Sequence, residues 1–138
     1  MTRRRVYVDS CVLMAAFKGL EPELVFSALA LLEDADTECL YSRITELEVM
    51  PKAVFHKRVE EQEFYRNFFE AAVLVPCTQA IVDDALERAQ RNGLGAGDAL
   101  HVACAVAAGA DELVTSEKMT KLPSAPEPGI PIRTLRTV

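Results

Sequence analysis

Val6-Tyr7-Val8-Asp9-Ser10 is a short apolar run closed by an acid and a serine, and it reads as a buried strand ending at Asp9. Val12 to Phe17 continues at once as a short apolar helix, stopped near Gly19. The same alternation recurs outward along the chain. Glu21-Pro22-Glu23 starts a helix, with proline in the first turn and acids at the positive end of the dipole; Leu24, Val25, Ala28, Leu29 and Leu32 mark its apolar face. Cys39-Leu40-Tyr41 is a second strand, closed by Ser42. From Thr45 to about Ala71 the pattern is helical, and Pro51 predicts a break or kink.

Val73-Leu74-Val75 is a third strand, ended by Pro76. Thr78 caps a helix carrying Ile81, Val82, Ala85, Leu86 and Ala89 at helical spacing, ending at Asn92-Gly93. Asp98 to Ala108 is a further helix, stopped by Gly109, and Leu113-Val114-Thr115 a fourth strand. A loop with Pro123, Pro126 and Pro128 leads to a last strand around Ile130 to Leu135. Strands alternating with helices predict an α/β fold: a parallel five-stranded sheet in a three-layer α/β/α sandwich, one domain over residues 1–138.

Half of the 138 residues are hydrophobic, enough for a real core, and no run of 18 apolar residues offers a membrane span. The basic start Arg3-Arg4-Arg5 is followed by an apolar stretch that Asp9 and Ser10 interrupt, unlike a signal peptide. Cys11, Cys39, Cys77 and Cys104 are widely spaced, which argues for buried thiols rather than a zinc site or disulfide framework. The expectation is a cytoplasmic protein. A net charge of −6 argues against holding nucleic acid by a broad basic surface, but two divalent cations would cancel four of those charges.

Asp9, Glu48, Asp98 and Glu117 lie far apart in sequence, yet this fold places all four along one edge of the sheet. Ligands in open parallel sheets bind beyond the carboxyl ends of the strands, where Asp9 and Glu117 fall. Crowded carboxylates raise one another's pKa unless a cation intervenes, so the group reads as a divalent-metal site built to cut a phosphodiester. Asp98 opens a helix apolar nearly all round, in which His101 is the only other polar residue and lies on the same side. Asp98 is also placed to cap that helix, after the Gly95-Ala96-Gly97 turn.

Glu48 has local alternatives: a capping box with Thr45, or an i,i+4 pair with Lys52, with Glu46 as the substitute acid in a shifted register. His101 reads as a satisfied core histidine or a group supporting the site, not as a ligand. Phe64, Tyr65, Phe68 and Phe69 read as core or dimer contact, and Arg3-Arg4-Arg5 and Lys57-Arg58 as solvated charge.

Four segments carry a family likeness: Val6-Tyr7-Val8-Asp9-Ser10, Ser42-Arg43-Ile44-Thr45-Glu46-Leu47-Glu48, Gly97-Asp98-Ala99-Leu100-His101-Val102-Ala103 and Leu113-Val114-Thr115-Ser116-Glu117. In this order and spacing the chain resembles the PIN domain, in particular the small proteins that include VapC-type toxin ribonucleases. The resemblance spans nearly the whole chain and selects Glu48 over Glu46. It differs in two places: Glu117 stands where the family most often has Asp, and Cys11 where Asn or Ser is common. The cysteine is expected to lose a supporting hydrogen bond to Asp9.

The resemblance implies a Mg²⁺- or Mn²⁺-dependent endoribonuclease whose catalytic and metal-binding residues are Asp9, Glu48, Asp98 and Glu117. Ser10, Thr115 and Ser116 would support them or contact phosphate, and in-line attack would leave a 5′-phosphate and a 3′-hydroxyl. It further implies an RNA substrate, an antitoxin partner and a homodimer. A noncatalytic PIN-like module binding RNA or protein is the alternative. A receiver-like phosphoacceptor domain is more remote, because Val73-Leu74-Val75-Pro76 lacks the aspartate such a domain needs after its third strand.

Overall fold

A computed structural model describes residues 3–118 and 127–136. Eleven elements follow in order: β1 (Arg4–Val8), α1 (Ser10–Lys18), α2 (Pro22–Leu32), β2 (Thr37–Ser42), α3 (Arg43–Phe55), α4 (Val59–Ala71), β3 (Val73–Val75), α5 (Gln79–Asn92), α6 (Ala96–Ala107), β4 (Glu112–Thr115) and β5 (Ile132–Thr134). The strands form one sheet in the order β3-β2-β1-β4-β5, and every pairing is parallel. Of the expected proline-rich loop, Pro123 and Pro126 lie outside the described residues.

Alternation along β1 divides the interior in two. Val6 and Val8 pack with α1, α2, α3 and α4 on one face, while Tyr7 points to the other among α5 and α6. The result is the three-layer α/β/α sandwich that the pattern predicts. Tyr7, Val8, Leu40 and Val114 are wholly buried at its centre. Tyr65 and Phe68 are core residues, and Phe64 and Phe69 pack against them, beside Phe17 and Tyr41. Cys104 is buried, Cys11, Cys39 and Cys77 are half-buried, and all four are free thiols.

Three local expectations are corrected. Pro51 sits inside α3 and does not break it; the helical stretch divides at His56-Lys57-Arg58, where Lys57 takes a left-handed φ of 56°. The capping box at the start of α3 pairs Ser42 with Thr45, whose hydroxyl accepts the Ser42 N–H at 3.2 Å, so Glu48 has no capping role. Helix α6 starts at Ala96 behind Gly95, so Asp98 lies within its first turn and makes no cap.

The basic run near the start of β1 is not simply solvated. Arg3 and Arg5 pair with Glu38, and Arg4 with Glu112, at the amino ends of the strands. Those charges therefore lie at the opposite end of the sheet from Asp9. Glu112 is buried and also takes Arg133, with Nη2 at 2.8 Å. Burial alone would push its carboxyl up, but hydrogen bonds from Arg133 and Arg4 outweigh it and hold the group below its ordinary 4.5.

Its contribution to stability is therefore complete above about pH 4.5 and is lost as pH falls through the lower folded-state value. Glu112→Gln is expected to cost about 1–2 kcal/mol at pH 7, less than a fully buried pair because both arginines are half exposed. Denaturant unfolding of both proteins across pH 3–7 checks this: the difference should shrink below pH 4.5, and a constant difference would contradict it.

Candidate metal centre

The chain leaves β1 toward one helical layer and enters β4 from the other, which opens a crevice at their carboxyl ends. Asp9 follows β1 directly. Its backbone N–H donates to Val114 O at 3.0 Å, and its carbonyl starts α1, which turns the side chain outward without a capping bond. Thr115, Ser116 and Glu117 leave β4 beside it. Helix α3 brings Glu48 from the first layer, and the first turn of α6 brings Asp98 from the second.

The Asp9 carboxylate is only 14% exposed and is held from three sides. The Thr115 hydroxyl donates to Oδ2 at 3.0 Å, Ser10 Oγ lies 3.4 Å from Oδ1, and Cys11 Sγ lies 3.2 Å from Oδ2. The cysteine has therefore not cost Asp9 a neighbour. Burial, followed by the Asp9 charge, pushes the Cys11 thiol up to about 11, so it stays protonated and able to donate. Its sulfur also accepts the Ser116 N–H and lies 3.2 Å from Thr115 Oγ1, which ties the β4 exit to the β1 exit. Arg136 closes this region by donating to the Ser116 carbonyl at 2.6 Å and pairing with Glu21.

Glu48 reaches across the strand ends to α6, where its Oε1 meets His101 Nε2. It does not pair with Lys52. Burial pushes the Glu48 carboxyl up, but His101, through hydrogen bond and charge, and Ser10 together hold it below its ordinary value. His101 Nε2 also lies 3.8 Å from Asp9 Oδ1, and donor atoms from Asp9, Glu48 and His101 all fall within 4.8 Å of one another.

Asp98 and Glu117 stand at the exposed rim. Asp98 titrates above its ordinary value, first from loss of solvent and then from the charge of Asp9, opposed by His101 and reinforced by Glu117 and Glu48. Asp98 thus feels the charge of the other three acids, that of Asp9 most. Among the described residues the close donor set is two carboxylates and an imidazole, from Asp9, Glu48 and His101, with Asp98 and Glu117 outside it at the rim; the carboxylate oxygens suit a hard divalent ion. Sequence patterning pointed to Asp9 and Asp98 through their places on strand and helix. The reach of His101 to Glu48 escaped it, although the i,i+3 spacing of Asp98 and His101 already put them on one side of α6.

Against known families, the sequence matches the PIN domain over residues 6–122. The chain belongs to the PIN domain family. PIN domains are generally nucleases and use divalent metal ions. No curated protein is detectably similar to the chain.

Among solved structures, this PIN domain is similar to a toxin–antitoxin complex from Klebsiella pneumoniae, with a TM-score of 0.71 and 24% identity over 96% of this chain and 99% of that one. It is similar to VapBC2 from Rickettsia felis bound to a promoter DNA fragment, with a TM-score of 0.68 and 16% identity over 94% of this chain and 98% of that one. It also resembles DNA-bound VapBC from Salmonella typhimurium, with a TM-score of 0.67 and 15% identity over 96% and 99% of the two chains. At these identities the likeness establishes a shared PIN fold. Among the described residues no helix is long and apolar enough to cross a membrane.

Proposed function

We propose that this PIN domain is a metal-dependent endoribonuclease, the toxin of a toxin–antitoxin pair acting in the cytoplasm as a single domain. One observation carries the reading: donor atoms of Asp9, Glu48 and His101 converge within 4.8 Å of one another at the carboxyl ends of the strands. Asp98 at the rim titrates above its ordinary value, first from loss of solvent and then from the Asp9 charge, a cost that a bound cation would lower. Asp9, Glu48, Asp98 and Glu117 would hold Mg²⁺ or Mn²⁺. When bound, the cation supplies an acidified water and neutralises charge developing on the phosphate.

The protein's own residues do the rest. Thr115, Ser10 and Cys11 fix the Asp9 carboxylate. Glu48 is held against α6 with one oxygen engaged by His101. Glu117, exposed at the rim, would support the cation from the solvent side. The Ser116 backbone is tied to Cys11 and Arg136, which favours support of the β4 exit over phosphate contact.

The toxin–antitoxin and VapBC complexes among the structural neighbours support an antitoxin partner. A groove lined by Pro22, Phe26, Leu135 and Arg136, with Phe26 exposed, adjoins the Ser116 segment and offers such a partner apolar contact. Leu47, Val54 and Phe55 lie exposed on one face of α3 at positions i, i+7 and i+8, a surface suited to a homodimer.

The deciding experiment is cleavage of a mixed cellular RNA pool. No cleavage is expected in a chelator, because the acidic crevice repels phosphate. Activity should return with Mg²⁺ or Mn²⁺ and leave 5′-phosphate ends. Equal cleavage in chelator would overturn the metal dependence, and metal binding without any cleavage would favour a passive binding module.

A further inference from the structure

A chain of hydrogen bonds runs from the centre of the sheet to the rim. Tyr7 is wholly buried, and its hydroxyl lies 2.8 Å from Ser42 Oγ and 2.7 Å from His101 Nδ1. On the other side of the same imidazole, Nε2 meets Glu48 Oε1. An ionised carboxylate only accepts, so Nε2 must carry the proton. With the ring neutral, Nδ1 is left as an acceptor and the Tyr7 O–H donates to it; a protonated ring would donate from both nitrogens and add the charge that lowers the Glu48 carboxyl. The Tyr7 oxygen, its proton used, accepts from the Ser42 hydroxyl, and Ser42 is itself fixed by its capping box with Thr45.

Glu48 is confined on its second oxygen as well. A Cβ built at Gly97 would stand 3.3 Å from Glu48 Oε2, so the absent side chain at Gly97 lets the carboxylate lie against the first turn of α6. Gly97 and His101, one turn apart, thus form a seat for a side chain delivered from the opposite helical layer. Glu48 is 38% exposed and on a long stem, and without that seat it would sample several rotamers.

We infer that His101 is a positioning residue which holds Glu48 in its working orientation, and that Tyr7 and Ser42 set the tautomer with which it does so. This rests on the metal-dependent reading above. His101 then acts through Glu48 and does not itself bind the cation, because the Nε2 proton occupies the lone pair a metal would need.

Mn²⁺ titration followed by the electron paramagnetic resonance of the free ion tests this without any measurement of activity. Tyr7→Phe keeps the ring and removes one oxygen remote from the carboxylates; it should weaken Mn²⁺ binding about 10-fold, at the low end of the effect of removing a group that supports a ligand. The same change made in a Glu48→Gln protein should cost nothing further, because the group being positioned has lost its charge. His101→Gln, which retains an N–H near Nε2, should bind Mn²⁺ more tightly than His101→Ala. Nitrogen-15 shifts of the His101 ring in metal-free protein should report the Nε2–H tautomer.

An unchanged affinity in Tyr7→Phe, an equal loss in both backgrounds, or an Nδ1–H ring would overturn the inference while leaving the metal site intact. Wild-type protein that binds no Mn²⁺ would remove the metal reading, and this inference with it.

Discussion

Asp9→Asn is expected to abolish metal-dependent RNA cleavage, by about 10³-fold or more, while the protein remains folded. The residue is the most enclosed of the four acids and the most firmly held, with Thr115, Cys11 and Ser10 all directed at its two oxygens. Asparagine preserves the shape and the carbonyl acceptor but removes the charge that a cation needs. The backbone of Asp9, which accepts the Val12 N–H and donates to Val114, is untouched by the change. Single-turnover cleavage alongside a thermal melt checks both halves. A folded variant that still cuts would end the proposal, whereas an unfolded one would show that Asp9 is needed for structure first.

The second large effect is on stability. Metal-free wild-type protein carries an Asp98 carboxyl raised by loss of solvent and by Asp9, so its ionisation opposes folding at pH 7, and the penalty disappears as pH falls below the raised value. Asp98→Asn should therefore melt no lower than wild type when both lack metal. Saturating Mn²⁺ at about 1,000 times Kd should stabilise wild type by roughly 4 kcal/mol, a shift on the order of 10 °C for a chain this size. A variant with about 100-fold weaker affinity keeps only about 1.4 kcal/mol of that. Scanning fluorimetry with and without Mn²⁺ measures it. A metal-free variant several degrees less stable than wild type would mean that Asp98 supports the fold instead of straining it.

Much of this arrangement was legible because each strand is a short apolar run and three of the four site acids, Asp9, Asp98 and Glu117, lie at or near element ends, whereas Glu48 lies inside α3. Val6-Tyr7-Val8 could only be a buried strand, and Asp9 had to follow it into the crevice. Asp98 stood out on an otherwise apolar helix. What failed was local and competitive. Thr45-Glu46-Leu47-Glu48 fits the usual capping-box pattern better than Ser42-Arg43-Ile44-Thr45 does, and only the end of β2 at Ser42 decides for the latter. Pro51 was given the helix break, but nearby Lys57, in a left-handed conformation, supplies it.

The contacts of His101 and Cys11 could not have been read from spacing. His101 meets Glu48 across 53 residues, and Cys11 meets Thr115 across 104. Such pairings follow from strand order, and strand order is set by crossovers that no short pattern encodes. The pairing of Arg4 with Glu112 is of the same kind, and it turned an apparent basic tail into a structural brace at the far end of the sheet.

Crystals soaked in Mn²⁺ and measured at the manganese absorption edge test the central claim most directly. The account predicts an anomalous peak within coordination distance of an Asp9 oxygen and bounded by Asp98 and Glu48. A strong peak elsewhere on the molecule, with none at the carboxyl ends of β1 and β4 at saturating Mn²⁺, would contradict it.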